Sequence, residues 1–239
     1  MQKIEITKLA KLDFHSSEAY KSLRTNVQFC GEDIKVVALT SCTPNEGKSS
    51  VSFQLAVSMT EDGKKVLFID ADIRKSVLVG RYQMTTKNAK GLTHYLSGQS
   101  KLNEVICQTN IENLDMILTG PVPPNPSELL GGKYFKELIA TQREKYDMIV
   151  IDTPPLGSVI DSAIIARQCD GIMLVIAAEE VSYKFAIKVK EQLDVAGCKI
   201  LGVVLNKLKF KSGGKYYGKY YGKYYGKYYG HYEKEKEEA

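Results

Sequence analysis

Three short stretches of the sequence carry side chains fit for phosphate chemistry. Pro44-Asn45-Glu46-Gly47-Lys48-Ser49 stands between an apolar run, Lys35 to Thr40, and a helical stretch from Ser49 to Thr60. In that setting Thr43, Pro44, Asn45, Glu46, Gly47, Lys48, Ser49 and Ser50 form a candidate phosphate loop. Its backbone N–H groups and the helix N-terminus cradle phosphates, because those amides lack intrahelical partners. Lys48 then reaches the outer phosphates and the Ser49 hydroxyl binds Mg²⁺. The full pattern GxxxxGK[ST] asks for glycine where this chain has Cys42, and Asn45 stands where many such loops carry another glycine. Asparagine tolerates left-handed backbone, so the turn survives the exchange. A capped helix start with an incidental Gly-Lys-Ser is the bland alternative; the flanking strand and helix weigh against it.

Two acidic clusters follow apolar runs. Asp70-Ala71-Asp72-Ile73-Arg74 ends KVLFI, and Asp152-Thr153-Pro154-Pro155 ends MIVI. A carboxylate just past a buried parallel strand points into the ligand crevice, where it holds Mg²⁺ directly or through water. One such Asp is a commonplace strand terminator. Two of them beside Gly-Lys-Ser make a specific constellation. Arg74 is either a phosphate-neutralising cation or half of a surface salt bridge.

The elements that must position these groups are readable as alternating runs. Residues 16–30 show a helical stripe (Ala19, Leu23, Val27, Cys30) capped by Ser16 or Ser17. Strands are expected at Lys35–Thr40, Lys64–Asp70, Leu114–Leu118, Met148–Asp152, Ile172–Ile176 and Ile200–Leu205. Helices are expected at Ser49–Thr60, at Ser127–Arg143 with Ser127 as cap, at Asp161–Gln168 and at Val181–Val195. Apolar strands without period-two polarity, alternating with helices, predict a mostly parallel α/β sheet covered on both faces. Ligands bind such sheets at the carboxyl ends of the strands.

With these residues in place, the chain resembles the bacterial protein-tyrosine kinases of capsule and exopolysaccharide synthesis, which have a P-loop NTPase-like fold. VLFIDADIR and IVIDTPP are similar to the second and third Walker-type motifs of that family. The likeness extends to the helix EAYKSLRTNVQF, the loop TGPVPPNPSELL, the segment DTPPLGSVIDS and a tyrosine-rich C-terminus. The resemblance implies ATP and Mg²⁺ as cofactors, and catalytic roles for Lys48, Asp70, Asp72 and Asp152. Asp70 would align or deprotonate the incoming phenol and, with Ser49, Asp72 and Asp152, support the metal. It also implies a homo-oligomeric ring, with the octamer as candidate size, formed through Glu18, Lys21 and Arg24, which lie within an arc of about 120° on one helix face. The bland reading of that trio is a solvated charged face. Lys21 stands where the family has an arginine, and lysine lacks the bidentate fork. A separate transmembrane adaptor and a cognate tyrosine phosphatase are the implied partners, with the kinase in the cytoplasm at the inner face of the membrane. Asn206, just after ILGVVL, is placed on the adenine edge by analogy with related ATPases.

Composition narrows the rest. The chain has 239 residues, 44% hydrophobic and 26% charged, with a formal net charge of +5. Residues 1–211 carry +3 of it, which excludes a nucleic-acid binder by charge alone. Five scattered cysteines without a CxxC pair exclude a disulfide framework and a zinc site of the usual spacing, and suggest a reduced intracellular setting. Cys42, beside Lys48, is either a buried filler or a redox-active thiol. His15, His94 and His231 share no metal-ligand spacing. The opening residues contain no secretory h-region.

Residues 212–239 are a second, unlike part. They hold nine Tyr and six Gly, with Gly-Lys-Tyr-Tyr repeating from Gly214 to Tyr229, and no aliphatic side chain larger than Ala. Such a segment cannot offset its ordering entropy and is expected to be disordered. Tyr216, Tyr217, Tyr220, Tyr221, Tyr224, Tyr225, Tyr228, Tyr229 and Tyr232 are its candidate phosphoacceptors. Two other classes compete with an autophosphorylating kinase. A positioning or partition ATPase would carry a second lysine where this chain has Thr43, and a non-catalytic module whose Lys/Tyr tail binds single-stranded nucleic acid or membrane would leave the phosphate loop unexplained.

Overall fold

The computed structural model describes residues 2–9, 11–86 and 89–208. Short strands β1 (Gln2–Lys3) and β2 (Glu5–Ile6) lead into helix α1 (Phe14–Phe29), then β3 (Val36–Ser41), α2 (Lys48–Glu61) and β4 (Val66–Asp70). A run of small elements follows: α3 (Leu78–Arg81), β5 (Met84–Thr85), α4 (Leu92–Leu96), α5 (Leu102–Val105) and β6 (Cys107–Gln108). The chain then forms β7 (Leu114–Ile117), α6 (Pro126–Gly131), α7 (Lys133–Arg143), β8 (Met148–Asp152), α8 (Asp161–Ala166), β9 (Gly171–Ala177), α9 (Tyr183–Val195) and β10 (Ile200–Asn206).

Eight strands make one sheet in the order β1-β6-β7-β4-β8-β3-β9-β10, parallel throughout except where β6 meets β7. β2 and β5 form a separate antiparallel pair. Alternation along each central strand sorts side chains into two cores. Val36, Ala38, Leu67, Ile69, Ile149 and Ile151 pack on one face with Phe135, Leu138 and Val189. Val37, Leu39, Val66, Phe68, Met148 and Val150 pack on the other with Phe53, Leu55 and Met59. Both faces are covered, which is why the strands read as unbroken apolar runs. Helix α2 lies between the sheet and α1, and every residue from Val51 to Thr60 is buried. The chain leaves β3 toward β4 on one side, while β9 lies on its other side. That reversal opens a crevice at the carboxyl end of β3.

Several expected boundaries move for local reasons. Asp13 caps α1, its carboxylate accepting the Ser16 N–H at 2.7 Å, so Ser16 and Ser17 fall inside the helix. The helix expected at 127–143 is two helices, because Gly132 takes an extended conformation (φ −74°, ψ 173°) between α6 and α7. Pro126 starts α6, and Ser127 caps nothing. The elements within residues 2–6 and 78–108 are two to five residues long, too short for a periodic signal. Residues 209–239 lie outside the described residues, and with them the expected disorder of the tail and its nine tyrosines.

Phe53 is fully buried, edge-on to Phe68 at 5.5 Å and 4.3 Å from the Tyr82 ring. Phe53→Ala is expected to lose about 3–5 kcal/mol in urea denaturation. A loss below about 1 kcal/mol would show that the core beneath α2 collapses to fill the space.

Candidate active site

The turn from β3 into α2 is built by two left-handed residues, Asn45 (φ 69°) and Gly47 (φ 86°). Asn45 thus performs the glycine's task, as its tolerance of this region predicts. The Glu46 side chain turns inward and is almost wholly buried. Its Oε1 accepts from the Thr43 backbone N–H and, at 3.0 Å, from the Thr43 hydroxyl; its Oε2 accepts from the Ala177 N–H at 3.0 Å. Only the backbone of Glu46 is left to face a ligand. Asn206 donates to the Glu46 carbonyl at 2.8 Å, and a Cβ on Gly47 would come within 2.2 Å of that amide nitrogen. The last strand of the sheet therefore abuts the phosphate loop directly.

Lys48 opens α2 and points across the crevice to Asp152 at the end of β8. Its Nζ lies 2.8 Å from Asp152 Oδ1 and 3.2 Å from the Ser49 hydroxyl, and Ser52 donates to the same Oδ1 at 2.9 Å. Both partners of the ion pair are buried. Strand register puts Asp70 directly opposite Asp152. Asp70 is fully buried; one carboxylate oxygen takes the Ser76 hydroxyl, and the other has no partner among the described residues. Burial first, and the Asp152 charge second, push the Asp70 carboxyl above the usual carboxylate range. Asp72 is likewise raised, chiefly by burial, against the lowering effect of Lys48. Lys48, Asp70, Asp72 and Asp152 are thus brought together at the carboxyl ends of the strands.

A buried carboxylate oxygen without a donor fits a cation or a proton donor. The paired left-handed turns at a helix N-terminus fit phosphate oxygens. Among the described residues no cluster of three His, Cys, Asp or Glu side chains forms a metal cage. A magnesium ion sharing its ligands between one or two carboxylates and a phosphate suits this set. An open cavity of about 1000 Å³ between Lys3, Lys65, Asn113 and Tyr146 lies at the other edge of the sheet, near the amino ends of β4, β7 and β8. None of the loop residues or the three aspartates lines it.

Other candidates are placed differently. Arg74 forms a two-pronged pair with buried Asp161 (2.6 and 3.0 Å), a partner 87 residues away that no local pattern announces. Cys42 is buried, and burial together with Glu46 pushes its thiol up to about 12, so Lys48 does not activate it for redox chemistry. Glu18 and Lys21 pair with each other at 2.7 Å on the α1 surface. Arg24 parts from them: it donates to the Ser58 carbonyl at 2.6 Å and faces Asp62 at 3.7 Å, pinning α1 to the end of α2.

A family model described as an AAA domain matches residues 34–195. The tyrosine-protein kinase CpsD of Streptococcus pneumoniae serotype 4 is 46% identical over 200 residues, 83% of this chain and 88% of that protein. YwqD of Bacillus subtilis, also a tyrosine-protein kinase, is 39% identical over 203 residues, 84% and 85% of the two chains. The kinase domain of the Escherichia coli tyrosine kinase ETK superposes with a TM-score of 0.76 at 35% identity, covering 84% of this chain and 80% of that one. The septum site-determining protein MinD from Pyrococcus horikoshii, solved with Mg-ADP, gives 0.61 at 27% identity, covering 75% and 72%. Fold and site together define a P-loop nucleotide-binding protein. Within that class the chain belongs to the bacterial tyrosine-protein kinase family.

Two outcomes follow from this geometry. Gly47→Ala is expected to abolish binding of a fluorescent ADP analogue, since a β-carbon would strain the left-handed turn and strike Asn206; unchanged affinity would remove the loop from the site. A carboxyl whose folded pKa is raised binds more protons folded than unfolded, so it costs stability as pH climbs above its ordinary range. In Mg²⁺-free buffer Asp70→Asn is therefore expected to be more stable than the parent at neutral pH. Urea titrations should show the gap closing as pH falls below the ordinary carboxylate range, and a gap independent of pH would contradict the burial argument.

Proposed function

We propose that this kinase transfers the γ-phosphoryl group of ATP to the tyrosines of its own C-terminal segment, and that it serves capsule or exopolysaccharide synthesis and export. The single observation that carries the chemistry is the meeting of Lys48, Asp70 and Asp152 across two strand ends and a helix N-terminus. Within the loop Thr43–Ser50 the backbone N–H groups of residues 45–49 bind the phosphates, and Lys48 follows the migrating group as a point charge. Asp70 accepts the hydrogen bond of an incoming phenol and holds its oxygen in line. A loose phosphoryl-transfer transition state asks little of a base, so alignment is the larger part of that role. Ser49, Asp70, Asp72 and Asp152 would hold Mg²⁺, which would supply neutralisation of phosphate charge. Asn206, already seated against the loop, is assigned the adenine edge.

The acceptors Tyr216 to Tyr232 follow the last strand by a short connection. The span from Phe210 to Tyr232 stretches to roughly 75 Å at about 3.4 Å per residue, against a body of radius near 17 Å. Length therefore allows transfer within one chain or between neighbours. A ring using the exposed Glu18–Lys21 pair of α1 favours transfer between neighbours. Phosphorylation adds about −1.5 to −2 charges per tyrosine, and crowded tails then loosen the ring. The partners proposed are a transmembrane adaptor that brings the kinase to the inner face of the membrane, and a tyrosine phosphatase that resets it; nucleic acid is not among them. One solved relative, covering 87% of this chain at 32% identity with a TM-score of 0.77, is described as the chimerical protein CapA2B2. No helix among the described residues is long and apolar enough to cross a membrane.

The second reading is a positioning ATPase, favoured by the likeness to MinD. It is weakened by Thr43, whose hydroxyl and amide are both spent on Glu46. Mixing full-length Lys48→Met chain with an active chain lacking residues 212–239 separates the possibilities. The inactive chain's tail is expected to gain phosphotyrosine; if it stays unmodified while the active full-length kinase labels itself, transfer between neighbours is wrong.

A further inference from the structure

Two segments of the sequence that the phosphate site does not itself use, residues 119–130 and 153–162, meet at one side chain. Arg74 directs Nε to Asp161 Oδ2 at 2.6 Å and Nη2 to Oδ1 at 3.0 Å. Ser127, in the first turn of α6, donates to the same Oδ1 at 2.6 Å, and Nη2 also reaches its oxygen at 3.1 Å. Asp161 is fully buried, and these groups satisfy a charge that would otherwise be costly to bury. Arg74 stands two residues beyond Asp72. The Asp72 carboxylate accepts the Lys75 N–H at 3.1 Å, with the Arg74 amide turned toward the same group. Whatever fixes the guanidinium fixes the turn bearing those two amides, and so the direction of the Asp72 carboxylate.

We propose that Asp161 and Ser127 are positioning residues for the magnesium site, acting through Arg74 and the turn 72–75 on Asp72. The proposal rests on the reading of Asp72 as a metal-supporting carboxylate. Outer partners that orient a ligating carboxylate govern metal affinity without touching the ion. A merely structural anchor would lower the melting temperature and leave the metal dependence alone, whereas a positioning chain moves the metal dependence itself. The bidentate fork is specific to arginine, so Arg74→Lys should reproduce part of the effect.

The test is calorimetric titration of ADP into the full-length chain at graded Mg²⁺, with a parallel titration in chelator. Asp161→Asn is expected to raise the Mg²⁺ needed for tight ADP binding by about tenfold or more while leaving metal-free ADP affinity at the parent value. Ser127→Ala and Arg74→Lys should shift it in the same direction by less. If Asp161→Asn does not fold, these two decide alone, and an unmoved Mg²⁺ requirement in both overturns the proposal. Asp72→Asn, measured alongside, separates this from the reading beneath it. A shift with Asp72→Asn and none with the other variants overturns the positioning chain alone. No shift even with Asp72→Asn overturns the metal placement and the chain with it.

Discussion

The site depends on a buried ion pair that contributes little net stability to the fold. Lys48 and Asp152 lie 2.8 Å apart with almost no exposure, at the junction of the phosphate helix and the central strands. Burying two opposite charges gives back in Coulomb attraction roughly what desolvation takes, and well-packed apolar residues would serve stability as well or better. The pair persists because the parallel sheet leaves no other place for it. With both faces covered, the carboxyl ends of the strands are where polar groups can converge. The Ser52 and Ser49 hydroxyls complete the hydrogen bonding that makes the arrangement tolerable.

Asp70 is the counterpart that remains incompletely satisfied. Its neighbour in register is another carboxylate, and among the described residues Ser76 is its only hydroxyl partner and one oxygen is left without a donor. Like charges on adjacent strands, both removed from water, raise the cost of ionisation, and a cation or phenol entering the crevice relieves it. Unmade hydrogen bonds in a buried crevice are costly, so this orphan oxygen marks where the molecule accommodates a ligand rather than where it gains stability.

Much of this was legible from residue order, and the exceptions have physical causes. The phosphate loop, both aspartate clusters and the doubly covered sheet follow from short patterns: glycine and lysine spacing, apolar runs, and carboxylates at run ends. Asn45 in the left-handed region was foreseeable because few other residues enter it readily. The inward turn of Glu46 was not, since its acceptor bond to Ala177 joins positions 131 residues apart. Asp161 and Ser127 likewise find Arg74 only after the sheet has formed. Gly131-Gly132 breaks a periodic stretch that otherwise reads as one helix, and the glycine pair is the signal that announces it. Arg24 shares a helix face with Glu18 and Lys21 by periodicity. Its length lets it reach Ser58 and Asp62, which angular position alone cannot reveal.

The likeness to MinD and to the tyrosine kinases places one nucleotide machinery at a fork between a binding switch and a group transfer. What divides them is the fate of the γ-phosphoryl group. The most direct measurement is to incubate the purified full-length chain with Mg²⁺ and γ-labelled ATP, then locate the label by phosphoamino-acid analysis and mass spectrometry. The account predicts label on tyrosine within residues 212–239. Label released entirely as inorganic phosphate, with every tyrosine unmodified, would contradict it.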